Sequence, residues 1–433
     1  MSISSSSSTS SSTSSNTCAS SSTTTMDQAP LTSSSPAVKS NSSALTTKAW
    51  ALGFVVMAAT GVAFGFAMQK AWVFDPFIVR RQFAFSNFIM LKMFAAAGAT
   101  SAFVLAALSL VAPQAFAATM KGAYTNDRGV VSAFIGGALI GMGGFVVAGS
   151  CPGTVFSQLG AGVTTSPLTF AGGLFGALIY GLVHPYLSGA SRKPAAIQDS
   201  ETAHLSESEG KAAFNFLTFG QPATPTLDKQ FNVPYAAIAI PLGLVFAGMV
   251  IALEIVVPAN DDLPAGTTIE SDWVLAKRAW PPWASGLVLG SMQLPLALIL
   301  NRTLGASTSF VSLLSSLMTL LLPNRAMSSS SMSYFKGKHI WSKSGFQLIF
   351  VIAAILGSFS SASLGDSFDE LHGVHPAAAF FGGAIMLFGA RLGGGCTSGH
   401  GLSGTAKLQW ASFASFIGMF GFAVPLGLLW EYA

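Results

Sequence analysis

The sequence predicts an all-α polytopic membrane protein: a pseudo-symmetric repeat of two halves, with about 9–10 transmembrane helices plus short re-entrant helices. Three observations carry that prediction. Hydrophobic residues make up 51% of the 433 residues and charged residues only 9%, against about 25% charged in a soluble domain. Apolar runs of bilayer-crossing length recur from Ala49 onward. A glycine-rich segment ending in cysteine occurs twice, once in each half. So few charges could not clothe a soluble enzyme of this length, and the apolar content excludes a wholly disordered chain.

Residues 1–45 are Ser/Thr-rich and carry no charge before Asp27. They cannot bury enough apolar surface to offset the entropy of ordering, so a disordered tail is expected. The stretch has no apolar core of a secretory signal and no arginine of a transit peptide. The first transmembrane half is expected over 46–189, a polar linker of mixed charge over 190–230, and the second half over 231–433.

Full spans are read near 49–69, 88–112, 130–149, 167–187, 233–257, 284–300, 345–362, 376–393 and 409–430. Shorter apolar pieces lie near 74–86, 152–162, 303–322 and 397–407. Such pieces occur at membrane depth where protein or a cavity shelters the backbone; the piece 303–322 is ambiguous and could be a tenth span. Arg325, Lys336, Lys338 and Lys343 place loop 323–344 on the cytosolic or equivalent side. Loops 258–272 and 363–375 are acidic and agree with the opposite side. The net charge of +4 therefore reports topology, and no nucleic acid is expected as a partner.

The duplicated segment is AFIGGALIGMGGFVVAGSC at 133–151 and AFFGGAIMLFGARLGGGC at 379–396. Repeated halves with interrupted helices at matching positions point to a central transport site. The first turn reads Gly149-Ser150-Cys151-Pro152-Gly153-Thr154. The second reads Gly393-Gly394-Gly395-Cys396-Thr397-Ser398-Gly399-His400-Gly401. Pro152 fits a first helical position, which would make Cys151 a helix cap; Thr397 and Ser398 can cap the second short helix. Two helix starts meeting near the bilayer centre would hold an anion through unpaired N–H groups and dipoles. A neutral thiol adds a soft, weakly donating group suited to a sulfur-bearing solute, whereas a thiolate would repel it. Against this stands plain packing, because cysteine is commonly buried and glycine-rich helices approach closely for structural reasons alone.

These residues resemble the YeeE/YedE sulfur-transport family, whose characterised members take up thiosulfate. The strongest match is GGCTSGHG at 394–401, with the Cys151 turn as its partner, and the resemblance covers roughly 49–430. It implies short re-entrant helices meeting at a narrow waist, where cysteines form transient S–H hydrogen bonds to the passing ion; Cys151 and Cys396 match those positions. Members shown to carry thiosulfate have a further cysteine after the first span. Neither Gln69–Pro76 nor Asn301–Ser307 contains one, so a three-thiol relay is absent.

Expected substrate-binding residues are Cys151, Cys396, Gly149, Ser150, Gly153, Thr154, Gly395, Thr397, Ser398, His400 and Arg391. Arg391 lies inside an apolar run, where a charge usually faces a cavity or a partner. It could attract an anion, form a structural ion pair, or snorkel. His400 follows Cys396 by four residues and is read as bonding the turn or tuning the anion site. Two such ligands are too few for a structural zinc site, so no metal is expected. Lys70, Asp75, Arg80 and Arg81 read as an interfacial loop in which Asp75 pairs with a cation. Glu254 reads as a boundary residue. His372 and His375 are expected to be solvated, and His184 interfacial.

No phosphate-binding loop, paired-histidine motif or nicotinamide fingerprint is present. The expectation is therefore a non-enzyme without cofactor: a permease or channel-like carrier for a small sulfur-containing anion, multi-pass in the plasma membrane or, alternatively, an organelle. Its partners would be the anion, the lipid bilayer and, as a candidate, a soluble sulfurtransferase. The rival readings are a membrane-embedded thiol enzyme holding sulfane sulfur as a persulfide, and a non-transporting membrane scaffold.

Overall fold

In the computed structural model, which describes residues 41–124, 129–187, 226–264, 267, 273–321, 330–336, 338, 346–368 and 372–432, every expected span is helical. No strand occurs among the described residues. Residues 1–40, most of the polar linker and most of loop 323–344 lie outside them, as do Glu270, Asp272, Asp369 and Glu370. Lys48–Ala433 forms one compact unit.

The first half runs α1 (Asn41–Lys70), α2 (Pro76–Arg81), a 3₁₀ turn (Gln82–Ala84), α3 (Ile89–Val111), α4 (Pro113–Tyr124), α5 (Val130–Leu139), α6 (Thr154–Ala161) and α7 (Ser166–Leu187). The second runs α8 (Tyr235–Val256), α9 (Pro282–Ser291), α10 (Gln293–Leu300), α11 (Ser307–Leu321), α12 (Phe346–Gly365), α13 (Pro376–Leu392) and α14 (Trp410–Tyr432). There are also two π-helical stretches, Ile140–Ala148 continuing α5 and Thr397–Gly404 following α13, and short helical turns at Leu227–Phe231, Ala259–Asp262 and Ser330–Phe335.

Eight helices among the described residues are long and apolar enough to cross a membrane. The pair α13 and Thr397–Gly404, bent by 44°, is a broken span or a re-entrant loop, and makes a ninth if counted as one span. The protein is thus an integral, multi-pass membrane protein. Among the described residues the 303–322 piece gives α11 of 15 residues, about 22 Å at 1.5 Å per residue, against a ~30 Å hydrocarbon core. The 284–300 span divides at Met292 into α9 and α10. Helix α4, missing from the sequence reading, begins at a proline whose fixed φ suits a first helical position.

Small residues set the packing, as is usual where lipid supplies no hydrophobic drive between helices. Along α5 and α14, a Cβ on Gly137 would lie 2.1 Å from Ser415 O, and one on Gly141 2.2 Å from Met419 O. Both numbers advance by four, so the pair is parallel and backbone meets backbone. In the same way α7 runs parallel to α13 (Gly172 at Phe380, Gly176 at Ala384), α1 to α12 (Gly61 at Phe350, Gly65 at Ala354) and α3 to α9 (Gly286 at Met93, Gly290 at Thr100). At the centre α5 crosses α13 antiparallel, with Gly136 against Gly389 and Gly393, and Gly143 against Gly382. Each parallel pair joins a helix of the first half to one of the second. Helix α8 is peripheral, with 17% of its apolar window buried.

Lys92, three residues into the α3 span, is fully buried, an arrangement the apolar pattern alone does not reveal. Its ammonium lies 3.0 Å from Asp262 and 3.5 Å from Glu254 and donates to Val257 O. Asp262 also accepts from Phe88 N at the start of α3. Glu254 is therefore an ion-pair partner as well as a boundary residue, and Asp262 turns inward from its acidic loop.

Candidate functional site

The first cysteine turn begins where the π-helical stretch ends. Gly149 takes the left-handed conformation (φ +60°), and a Cβ there would strike Pro76 at the start of α2. Glycine meets both demands at no cost. Gln158 of α6 reaches back to fix the turn, donating to Gly149 O at 3.0 Å and accepting from Ser150 Oγ at 2.8 Å. The Ser150 hydroxyl is thereby committed to the protein.

Cys151 lies between this turn and α6. Its carbonyl accepts from Val155 N at 3.1 Å, and its sulfur accepts from Thr154 N at 3.3 Å and shares a hydrogen bond with Thr154 Oγ1 at 2.8 Å. The thiol thus makes the contact expected of a cap, although the helix proper starts at Thr154 and Pro152 sits in the preceding turn, not at the first helical position.

The second turn differs in detail. Gly394 supplies the left-handed residue (φ +82°), and Cys396 is extended (φ −111°, ψ −173°) ahead of the Thr397–Gly404 stretch. Thr397 and Ser398 do not act as caps. Thr397 Oγ1 is buried without a hydrogen-bond partner, and Ser398 Oγ turns to the Cys396 sulfur at 3.2 Å. The first helical bond runs from His400 N to Cys396 O at 2.7 Å. His400 is buried with both ring nitrogens engaged: Nε2 donates to Gly393 O at 3.1 Å, and Nδ1 accepts from Ser412 Oγ at 3.0 Å. Gly395 lies flat against that ring, where a Cβ would come within 2.8 Å of Nε2.

One short segment links the two turns. Ala306, just before α11, donates its N–H to Ser398 Oγ at 3.3 Å. Its methyl group faces Gly153, whose Cβ would sit 3.8 Å away. The segment is held by Gln293, which accepts from Leu304 N and donates to Ser403 Oγ, while Ser403 donates to Leu304 O. Both cysteines are buried and free, within the large central apolar cluster.

Arg391 lies in the last turn of α13, ahead of the Cys396 turn. Its Nε donates to Tyr334 Oη at 2.9 Å and its Nη1 to Ser307 Oγ at 3.4 Å. Among the described residues no carboxylate pairs with it. Lys70, expected in an interfacial loop, is likewise fully buried, its ammonium donating to Lys277 O at 2.5 Å and Ser361 O at 3.2 Å. Asp75 caps α2 by accepting from Phe77 N at 2.7 Å, and Arg80 reaches Val147 O and the Trp430 ring. His375 Nδ1 accepts from Ala377 N at 3.3 Å, capping α13. The His184 ring packs 4.6 Å from Tyr334. No group of three or more metal-ligating side chains occurs among the described residues.

A family model described as sulphur transport matches residues 76–424. No curated protein matches the chain.

Proposed function

The chain belongs to the sulphur transport family, and from that premise we propose that it passes a small sulfur-containing anion, thiosulfate or a close relative, between the Cys151 and Cys396 turns. The observation that carries this reading is the Gly153–Ala306–Ser398–Cys396 contact chain, which brings both turns to one place. Each sulfur there faces a hydroxyl, Thr154 or Ser398. A passing anion accepts the S–H and O–H groups that otherwise bond each other. The buried, unpartnered Thr397 hydroxyl is a further donor.

Arg391 supplies positive charge beside this waist, and among the described residues no carboxylate pairs with it. Gly149, Gly153 and Gly395 make room for close backbone approach, and Ser150 and His400 hold the turns in shape. The repeat reading gains support from helix pairing. Exchanging the halves turns the α5–α14 pair into α13–α7 and the α1–α12 pair into α9–α3, and the antiparallel α5–α13 pair maps onto itself. An axis lying in the membrane plane has that effect.

The setting of His400 favours passage over thiol chemistry, because its ring nitrogens are spent on Gly393 and Ser412 and leave no free base beside Cys396. The test is uptake of labelled thiosulfate, sulfate and sulfide into sealed liposomes holding wild type, Cys151→Ala or Cys396→Ala. Losing one hydrogen bond to an ion, about 1.5–3 kcal/mol, lowers uptake by about tenfold or more. Unchanged uptake in both variants overturns the thiol pathway. Turnover in detergent with no vectorial flux moves the assignment to the thiol enzyme.

A further inference from the structure

Asn301 ends α10 in the left-handed conformation (φ +50°), and its N–H and that of Arg302 both return to Leu296 O, the latter at 3.2 Å. Asparagine tolerates that backbone, and the closure turns the chain out of the helix at Arg302. Four residues on, Ala306 meets Gly153 and Ser398, so Arg302 and Ala306 are at most about 14 Å apart along the chain. Arg302 is half-buried, and among the described residues its guanidinium has neither a hydrogen bond nor an ion pair. Loop 323–344, which leads into α12, holds no acid to offer it. Burial pulls its pKa below the ordinary arginine value, as expected for a charge without a counter-charge. Lys70, at the end of α1, shows the contrast: its ammonium is spent on two carbonyls.

Arg302 borders a shallow hollow of about 10 Å³ with Thr303, Gly305 and, from the first turn of α12, Gln347. Gln347 is half-buried, and its Oε1 accepts from Ser309 Oγ at 3.3 Å. That bond leaves the amide nitrogen as its other end, again with no acceptor among the described residues. A Cβ on Gly305 would meet nothing within 4 Å, so the hollow is open there. Two accessible donor groups without acceptors thus face one hollow, beside the segment that reaches the cysteine turns. We infer that Arg302 and Gln347 form a second anion station, which takes the oxygen-bearing end of a sulfur oxyanion at one mouth of the passage. The inference rests on the proposed passage. A guanidinium fork matches a pair of oxyanion oxygens, and the amide N–H groups add donors and no charge. The hollow has room for about one water-sized atom, so one oxygen of the anion enters it and the rest projects outward past Gly305. Division of labour follows: the thiols at the waist meet the soft sulfur, and Arg302 meets the hard oxygens.

The experiment puts a reporter in the hollow. In the full-length chain with Cys18, Cys151 and Cys396 changed to alanine, Gly305→Cys supplies a single thiol where a Cβ meets no neighbour. Its rate of labelling by a maleimide in detergent is read against sulfate, with chloride at equal ionic strength as the control. Sulfate is expected to slow the labelling, and chloride is not. Adding Arg302→Gln is expected to raise the half-protecting sulfate concentration by about tenfold, the effect of one charge-assisted hydrogen bond, and Gln347→Leu by a smaller factor. In the otherwise native chain, Arg302→Gln should leave Tm unchanged or raised, because no protein group loses a partner. In liposomes it should raise the half-saturating concentration of thiosulfate and sulfate and leave flux of sulfide, which has no oxygens, as it was. Protection indifferent to Arg302→Gln, equal protection by chloride, or a fall in Tm would each overturn the station. The reporter protein lacks the waist thiols, so the two readings fail separately. Indifferent protection beside cysteine-dependent uptake removes the station and keeps the passage. Arg302-dependent protection with no uptake by any variant keeps the anion site and removes its role in a passage.

Discussion

Ser398→Ala is the most informative substitution in the proposed waist, because one hydroxyl serves both cysteine turns. It accepts from Ala306 N at 3.3 Å and shares a hydrogen bond with the Cys396 sulfur at 3.2 Å. Alanine leaves a buried backbone N–H without an acceptor, a loss of about 1–3 kcal/mol. The N–H···O distance lies beyond the usual range for such bonds, which places the cost in the lower half, about 1–2 kcal/mol. The Lys48–Ala433 unit is larger than the domains of about 150–250 residues in which each kcal/mol lowers Tm by about 2–4 °C, so the fall in Tm is on the order of 1–3 °C. Uptake should fall further than stability does, since the tether between the Ala306 segment and the Cys396 thiol is lost along with the hydroxyl. Ser398→Thr keeps the hydroxyl and should restore both. The assay is thermal unfolding of purified variants in detergent beside flux in liposomes. A Ser398→Ala protein that melts and transports like wild type would refute the claim that this bridge holds the turns together.

Three further outcomes follow from the charged groups. Asp262→Asn should destabilise by about 3 kcal/mol, the low end of the usual cost of removing one partner of a buried ion pair, measured by thermal unfolding, since Asp262 is 3% exposed and 3.0 Å from Lys92 while Glu254 remains 3.5 Å away. Glu254→Gln should cost under about 1 kcal/mol in the same assay, because Glu254 is 32% exposed and 0.5 Å more distant from that ammonium; equal losses would refute the ranking. Arg391→Gln should slow anion uptake while Arg391→Lys retains part of it, read as initial flux against external concentration, and a glutamine variant as fast as wild type would remove Arg391 from the path.

What the sequence made legible is what hydropathy and glycine register encode. Long apolar runs gave the spans, and the repeated Gly–Cys ending marked the two turns that the fold joins through Ala306. The rest depends on partners remote in the chain. Ala306 and Ser398 are 92 positions apart, and nothing local to either predicts their bond. Lys92 passes unnoticed in an apolar run because the carboxylates that permit its burial lie far along the chain, Glu254 near the end of α8 and Asp262 in the α8–α9 connection. Hydropathy is also blind to helical pitch, so the π-helical stretches beside each cysteine were hidden. Thr397 and Ser398 fit cap statistics, yet the extended Cys396 backbone directs both hydroxyls elsewhere, a choice made by tertiary contact rather than by propensity.

The partner exchange among the long helices bears on how the molecule is made. Helices α5 and α7 find parallel neighbours in α14 and α13, which leave the ribosome much later. At about 5–20 residues per second, the glycine-lined faces of the first half stand uncovered in the lipid for roughly ten seconds to a minute before their mates arrive. Biogenesis is consequently a waiting problem, and a nascent chain stalled shortly after α7 should be an early substrate for membrane quality control.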